Sequence, residues 1–376
     1  MTASHPLTRR AALAAGIVLP ALDSARAQTT QTGTSAEAGA SASSSAAAGS
    51  SPLTPLMAQI NNGNWLDRAE AEALRDELFV QNAVHAYIMT LSALNVIGMR
   101  DGSEAAFGKG HNVLPVWKDR IGQPLLGSDA QCGRHLLDEL PEPEAGGPLV
   151  VAAPANVIGM FTDFFQRTIT DVGAIGPDRG RRGLYLLLPP GYAEPVPAGY
   201  FAFPSSTRNV FLFFRTLMAQ GENVPNPAPG AANAERTRVY PLFEVERNVK
   251  PMQFPNASGK RLDMMYPVDN TYWSKLKAFV DEEPVECMSM ELRGVLAAIG
   301  IIKGQPFSPD AREQKLLLQA VQKAPRMILA TRQLRRPDGR NLYYGDRQWE
   351  RAWAGGTAEW LQESYLDVMQ RACFFQ

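Results

Sequence analysis

Between residues 148 and 250 the chain breaks into short runs of β-branched and aromatic residues, each closed by glycine or proline. The runs read PLVVAAP, GMFTDFFQRTIT, LYLLLPP, GYFAFP, NVFLFFRTL and TRVYPLF. No other feature constrains the fold as much. Breakers roughly ten residues apart leave no room for ordinary helices, whereas strands of about five or six residues fit between them. The spacing predicts a β-sandwich with jelly-roll-like connections over residues 146–269. NVFLFFRTL is apolar at successive positions and predicts a central strand buried on both faces.

The flanks follow a helical pattern. In WLDRAEAEALRDELFVQNAVHAYIMTLSALNV, Leu74, Leu78, Val84, Ile88, Leu91 and Leu94 recur at helical spacing, with strong helix formers between them. Gly98 is the expected stop, and His85 reads as an ordinary helix residue. After residue 270, TYWSKLKAFVDEE, MSMELRGVLAAIG and SPDAREQKLLLQAVQKA are further helices. The last opens with Ser308 as N-cap, Pro309 at the first helical position and Asp310 in the first turn, and Pro325 is expected to kink or end it. The fold class is therefore α+β: a sandwich core flanked by helical regions at 52–145 and 270–376.

The N-terminus lies outside that fold. LTRRAALAAGIVLPALDSARAQ combines Arg9 and Arg10, an uncharged run from Ala11 to Leu22, and Ala25-Arg26-Ala27 as a small-x-small cleavage site. This is the pattern of a bacterial export signal over residues 1–27, and Thr8-Arg9-Arg10 points to the twin-arginine route and the periplasm. Its apolar run falls short of the ~20 residues that span a bilayer, and no later stretch reaches that length. Losing Arg9, Arg10, Arg26 and Asp23 with the signal takes the formal net charge from −1 to −3. That balance argues against a nucleic-acid partner, which needs a basic excess. Residues 28–51 are Ala/Ser/Gly/Thr-rich and read as a flexible tether. Cys132, Cys287 and Cys373 show no CxxC and no framework spacing, so at most one disulfide is expected.

The sequence contains no GxSxG elbow, no GxxxxGK[ST] loop and no HExxH helix. A histidine-rich zinc site would need His85, His111 and His135 to converge. His111, in the glycine-flanked turn GKGHN, is the best single general base or ligand, against a plain turn-stabilising role. TDFFQRTITD reads as one strand with Asp163, Phe165, Arg167 and Asp171 on one face. Four residues along a strand span roughly 13 Å, which keeps Asp163 and Arg167 from touching. These carboxylates, with Asp129 or Asp178, supply oxygens for a divalent metal if one is bound, although no cofactor is required. Arg208 and Asn209 stand at the mouth of the apolar strand and, with Trp117, Phe165 and Arg167, are candidates to line a ligand pocket. GPDRGRRGLYLLLPPGY runs from a glycine loop into a strand, which excludes a phosphate cradle at a helix N-terminus and predicts the tip of a long hairpin.

Several blocks resemble one bacterial family in order along the chain: FGKGHNVLPVWKDR (107–120), DFFQRTITDVGAIGPDRGRRGLYLLLPPGY (163–192), TRVYPL (237–242) and ELRGVLAAIGIIKGQPFSPD (291–310). The family is domain of unknown function 1254, often followed by a companion domain numbered 1214. The resemblance implies an α+β protein with a β-sandwich core, often exported, and supplies no settled reaction. Where the family often carries TPN-[ST]-D, this chain keeps only Ser128 and Asp129. The chain stops at Gln376 just past ACFF, so the resemblance implies that the companion domain is missing or supplied by a separate partner; self-association is the alternative partner. Two functional readings stand. One is a periplasmic protein that binds a small apolar or anionic molecule, or serves as an accessory, without catalysis. The other is a hydrolase, metal-dependent or not, using His111 with carboxylates from Asp163, Asp171 or Asp178 on a small ester or phosphodiester.

Overall fold

The long N-terminal helix α1 (Arg68–Phe107) opens on a reciprocal cap. Asp67 Oδ1 accepts the Glu70 N–H at 2.8 Å, and the Glu70 carboxylate accepts the Asp67 N–H at 3.2 Å. The structure, a computed structural model, describes residues 66–119, 147–217, 219, 226–244, 249–334, 342–347, 349–351, 361–362 and 365–376. The expected signal and tether, together with Ser128, Asp129, Cys132 and His135, lie outside the described residues. The chain divides into Met1–Ala73, of which the described part is the start of α1, and a unit from Leu74 to Gln376.

Helix α1 does not stop at Gly98. A Cβ there would lie 2.7 Å from the Met265 carbonyl, and one at Gly102 would lie 2.0 Å from Asp263 O. Both glycines serve close backbone approach by segment 263–266, so they are packing residues inside the helix and not its end.

Among the described residues, seven strands form two sheets. The first contains β1 (Leu149–Ala153), β4 (Gly183–Leu188), β5 (Phe201–Pro204) and β7 (Arg238–Pro241) in the order β5-β4-β1-β7, with only β4 and β5 parallel. The second is antiparallel, with β2 (Val157–Asp163) between β3 (Thr168–Gly173) and β6 (Val210–Thr216). Leu149, Val151, Tyr185 and Val239 of the first sheet pack with Val157, Phe161, Leu212 and Phe214 of the second in one cluster, which the short helix α2 (Ala228–Ala234) joins. The α+β class holds. The described strands do not establish jelly-roll connections.

Two expectations about strands are corrected. The 176–182 loop does feed strand β4, but β3 and β4 belong to different sheets, so the loop crosses between sheets and is not a hairpin tip. It is tied down by buried Asp178, whose Oδ1 accepts the Gly173 N–H at 2.9 Å. β6 is buried on both faces as its apolar run demanded, yet it lies at the side of its sheet and not at the centre. Its alternate residues enter different cores. Val210, Leu212 and Phe214 face the sheet cluster, while Phe211 and Phe213 pack with the helices.

The helical core gathers α1, α3 (Thr271–Glu282), α4 (Met290–Ala298), α5 (Ala311–Gln333) and α6 (Val368–Phe375). Trp273 is wholly buried and donates through Nε1 to Leu317 O at 3.2 Å. The α5 cap is Asp310 and not Ser308: its side chain accepts from Glu313 N at 2.8 Å, and Glu313 Oε2 accepts from Asp310 N at 2.9 Å. Pro325 lies inside α5 and does not end it. Gln376 Nε2 reaches the Pro325 carbonyl at 2.7 Å. The remaining strand pair joins β8 (Leu361–Gln362) to β9 (Tyr365–Leu366). No helix of the described residues is long and apolar enough to cross a membrane.

Candidate functional site

The stretch expected to be one strand is broken by a turn. β2 ends at Asp163 and β3 begins at Thr168, and Asp163 O accepts the Gln166 N–H at 2.9 Å. The Asp163 N–H in turn donates to Arg167 O at 2.9 Å. Gln166 sits at φ 59°, a left-handed value that such a three-residue hairpin requires at its last loop position. Glycine usually fills that position. Here the glutamine holds the turn against α1 by donating from Nε2 to Ser92 O (3.0 Å) and Asn95 Oδ1 (3.1 Å).

The turn brings Asp163 and Arg167 into contact, contrary to the strand expectation. Asp163 is 2% exposed. Its Oδ1 accepts the Arg167 N–H at 2.9 Å, and its Oδ2 accepts Arg167 Nε at 2.5 Å and Ser206 Oγ at 2.7 Å. Arg167 Nη2 donates onward to Ser206 Oγ (2.9 Å) and to the Cys287 carbonyl (3.1 Å). The guanidinium also lies over the Phe165 ring, 5.2 Å from its centroid. Phe164 and Phe165 enter the helical core, where both meet Phe279. Phe165 is therefore a core residue.

A second carboxylate completes the cluster. Glu283, fully buried after the end of α3, was not singled out by sequence reasoning. Its Oε2 accepts the Arg208 N–H at 2.5 Å, and its Oε1 accepts the Asn209 N–H (3.0 Å) and Asn209 Nδ2 (2.8 Å). Asn209 Nδ2 also donates to Glu282 Oε1 at 2.7 Å, and Glu282 pairs with Arg100 of α1 at 3.4 Å. Burial raises the Glu283 carboxyl above the usual carboxylate range, against the pull of these donors. Burial likewise pushes the Cys287 thiol up to about 12. Arg371 of α6 is 6% exposed and donates to Met89 O at 3.0 Å; desolvation and the neighbouring Arg167 charge lower its pKa to about 10.

Five of the expected site residues thus lie along this seam: Asp163, Phe165, Arg167, Arg208 and Asn209. The other three do not join them in one constellation. Asp171 is on β3 opposite Met160, three residues past the start of the strand. His111 and Trp117 flank a segment, Val113–Val116, that runs parallel to 253–256; Leu114 and Val116 pack into the sheet cluster. Among the described residues, no group of three or more His, Cys, Asp or Glu is placed to hold a metal ion. The seam joins a β-hairpin, the β5–β6 loop and a helix end through satisfied hydrogen bonds. Such an arrangement can hold elements in place, and Arg167 and Ser206 are its solvent-facing members.

Fold and seam together define a class: an α+β protein in which two small sheets and a helical bundle share strand β6 and are riveted by buried carboxylates. Within that class, residues 145–241 match the sequence model of a family described as protein of unknown function (DUF1254). This is the family whose blocks the chain resembles, and the match covers every strand of the two sheets. The chain is also similar to the crystal structure of the VPA0106 protein from Vibrio parahaemolyticus, with a TM-score of 0.51 at 14% identity, over 79% of this chain and 67% of that one. That likeness concerns the fold. No curated protein matches the chain in sequence.

Proposed function

We propose that this is an exported periplasmic protein that binds a small molecule, or assists another protein in doing so, without transforming it. The twin-arginine-like signal at residues 1–27 supports the compartment. The observation that carries the non-catalytic part is the state of Asp163, the best-placed candidate acid or base. Its carboxylate is buried and accepts three hydrogen bonds from Arg167 and Ser206, so both oxygens are already committed to holding a turn. A general base needs a proton-accepting oxygen within reach of substrate. The hydrolase reading also requires His111 to act on one substrate with a carboxylate of Asp163, Asp171 or Asp178, and His111 stands on a different element from each of them.

The test uses mature protein purified from the periplasmic fraction. Native mass spectrometry is expected to detect a retained small molecule, and ester and phosphodiester panels are expected to show no turnover. Turnover that disappears in Asp163→Asn and in His111→Ala would refute the reading.

A further inference from the structure

Strand alternation on β7 sends Val239 and Pro241 inward and leaves Arg238 and Tyr240 on the other face. β7 lies at one end of the four-stranded order, and segment 249–251 completes a concavity beside it. Arg238, Tyr240, Val249, Lys250 and Pro251 line this space of about 320 Å³. Among the described lining residues two are cations and none is a carboxylate. Arg238 is held in place, because its Nη1 donates to Glu235 O (2.9 Å) and Thr237 O (2.8 Å). Donors on Nε and Nη2 are left over for a ligand. Glu235, three residues before Arg238, is ion-paired with Lys118. A third cation stands near: the Arg182 charge opposes the burial that raises the Tyr240 phenol. Arg182, Arg238 and Lys250 therefore place positive charge around Tyr240, where it attracts counter-ions.

We propose that this groove binds a small organic oxyanion, a carboxylate or phosphate monoester carrying a short apolar body. Arg238 supplies fork-shaped recognition of the oxyanion and Lys250 a second charge. The Tyr240 ring, Val249 and Pro251 cover the apolar body. The volume is at the small end of ligand pockets. This inference rests on the small-molecule reading above and gives it a place and a chemistry.

Isothermal titration calorimetry on the mature protein tests it, with inorganic phosphate, benzoate and phenyl phosphate as anionic probes and benzyl alcohol as the neutral control. The expected result is binding of an aromatic oxyanion but not of benzyl alcohol, weakened by added salt. Arg238→Gln and Lys250→Gln should each reduce affinity about tenfold. Both side chains belong to exposed residues, so melting temperatures of the variants should match wild type, and a loss of affinity is then not a loss of folding. No binding by any anionic probe, or affinity unchanged in the double variant, would overturn the proposal. A ligand retained from the periplasm that stays on the double variant would also overturn it, while leaving the small-molecule reading intact. Turnover of an ester would overturn that reading, and loss of probe affinity in the double variant would still support the groove.

Discussion

Gly102 and Gly294 both lie inside helices, and alanine at the two positions should change stability in opposite directions. Alanine gains up to about 1 kcal/mol over glycine in a helix interior, by propensity alone. At Gly294, on the exposed side of α4, a Cβ meets nothing within 4 Å, so that gain is unopposed. At Gly102 the Cβ would stand 2.0 Å from Asp263 O and 2.7 Å from Asp263 C. A carbon–oxygen contact is comfortable near 3.3 Å, so backbone must move by more than about 1 Å. Overpacking of this kind costs roughly 1–3 kcal/mol, and backbone yields less readily than a side-chain tip. The steric cost wins at Gly102. The expected outcome is Gly294→Ala about 0.5–1 kcal/mol more stable and Gly102→Ala about 1–2 kcal/mol less stable, read by urea denaturation with m-values compared. A Gly102→Ala variant as stable as Gly294→Ala would refute the close approach of α1 and segment 263–266.

Glu283→Ala strips the acceptors from three donors, two of them buried, and should destabilise by about 3 kcal/mol or more in the same assay, whereas Glu283→Gln keeps one acceptor oxygen and should lose about 1–3 kcal/mol. Because burial raises the Glu283 pKa, its contribution is full below the unfolded value of 4.5 and is lost as pH rises through the folded value. The wild-type stability minus that of Glu283→Gln should therefore fall as pH climbs out of the acid range, and a rising difference would contradict the burial argument. The Cys287 thiol, buried and pushed up to about 12, should resist a disulfide-exchange reagent at neutral pH in the native protein and react once the chain is unfolded; reaction at the native rate of an exposed thiol would count against its placement. Asp310→Ala removes the capping box of α5 and should cost about 1 kcal/mol by thermal melting, with Ser308→Ala near neutral.

Local chemistry reached the sequence reader more readily than long-range contact did. Breaker spacing placed strands between 148 and 250, and helical periodicity placed α1, α3, α4 and α5, because both signals lie within one element. Gly98 was misread as a stop because its real partner, the backbone at 265–266, is remote in sequence. The Asp163–Arg167 turn was invisible for a different reason: Phe164-Phe165-Gln166 contains none of the usual turn residues, and the left-handed glutamine is held by α1 side chains and backbone more than seventy positions earlier. Arg208 and Asn209 were singled out at a strand mouth, Asp163 and Arg167 as the polar face of one strand, and all four meet in one seam. Glu283, which completes it, stood in an unremarkable DEEP run. Its importance comes from burial against residues 74 and 75 positions away. The groove beside β7 was missed because Arg238 and Lys250 belong to separate short segments, with no shared motif.

The alternation of β6 has a consequence for how the molecule comes apart. Phe211 and Phe213 are anchored among helices, while Leu212 and Phe214, their immediate neighbours, are anchored between sheets. Opening either side exposes one face of the same seven-residue ladder, whose hydrogen bonds to β2 run from Val210 to Thr216. Neither half has a wall of its own to fall back on. In native-state hydrogen exchange the amides of β6 should belong to the slowest set and exchange only through whole-molecule opening. The helices and sheets, so different in sequence pattern, should then melt as one cooperative transition.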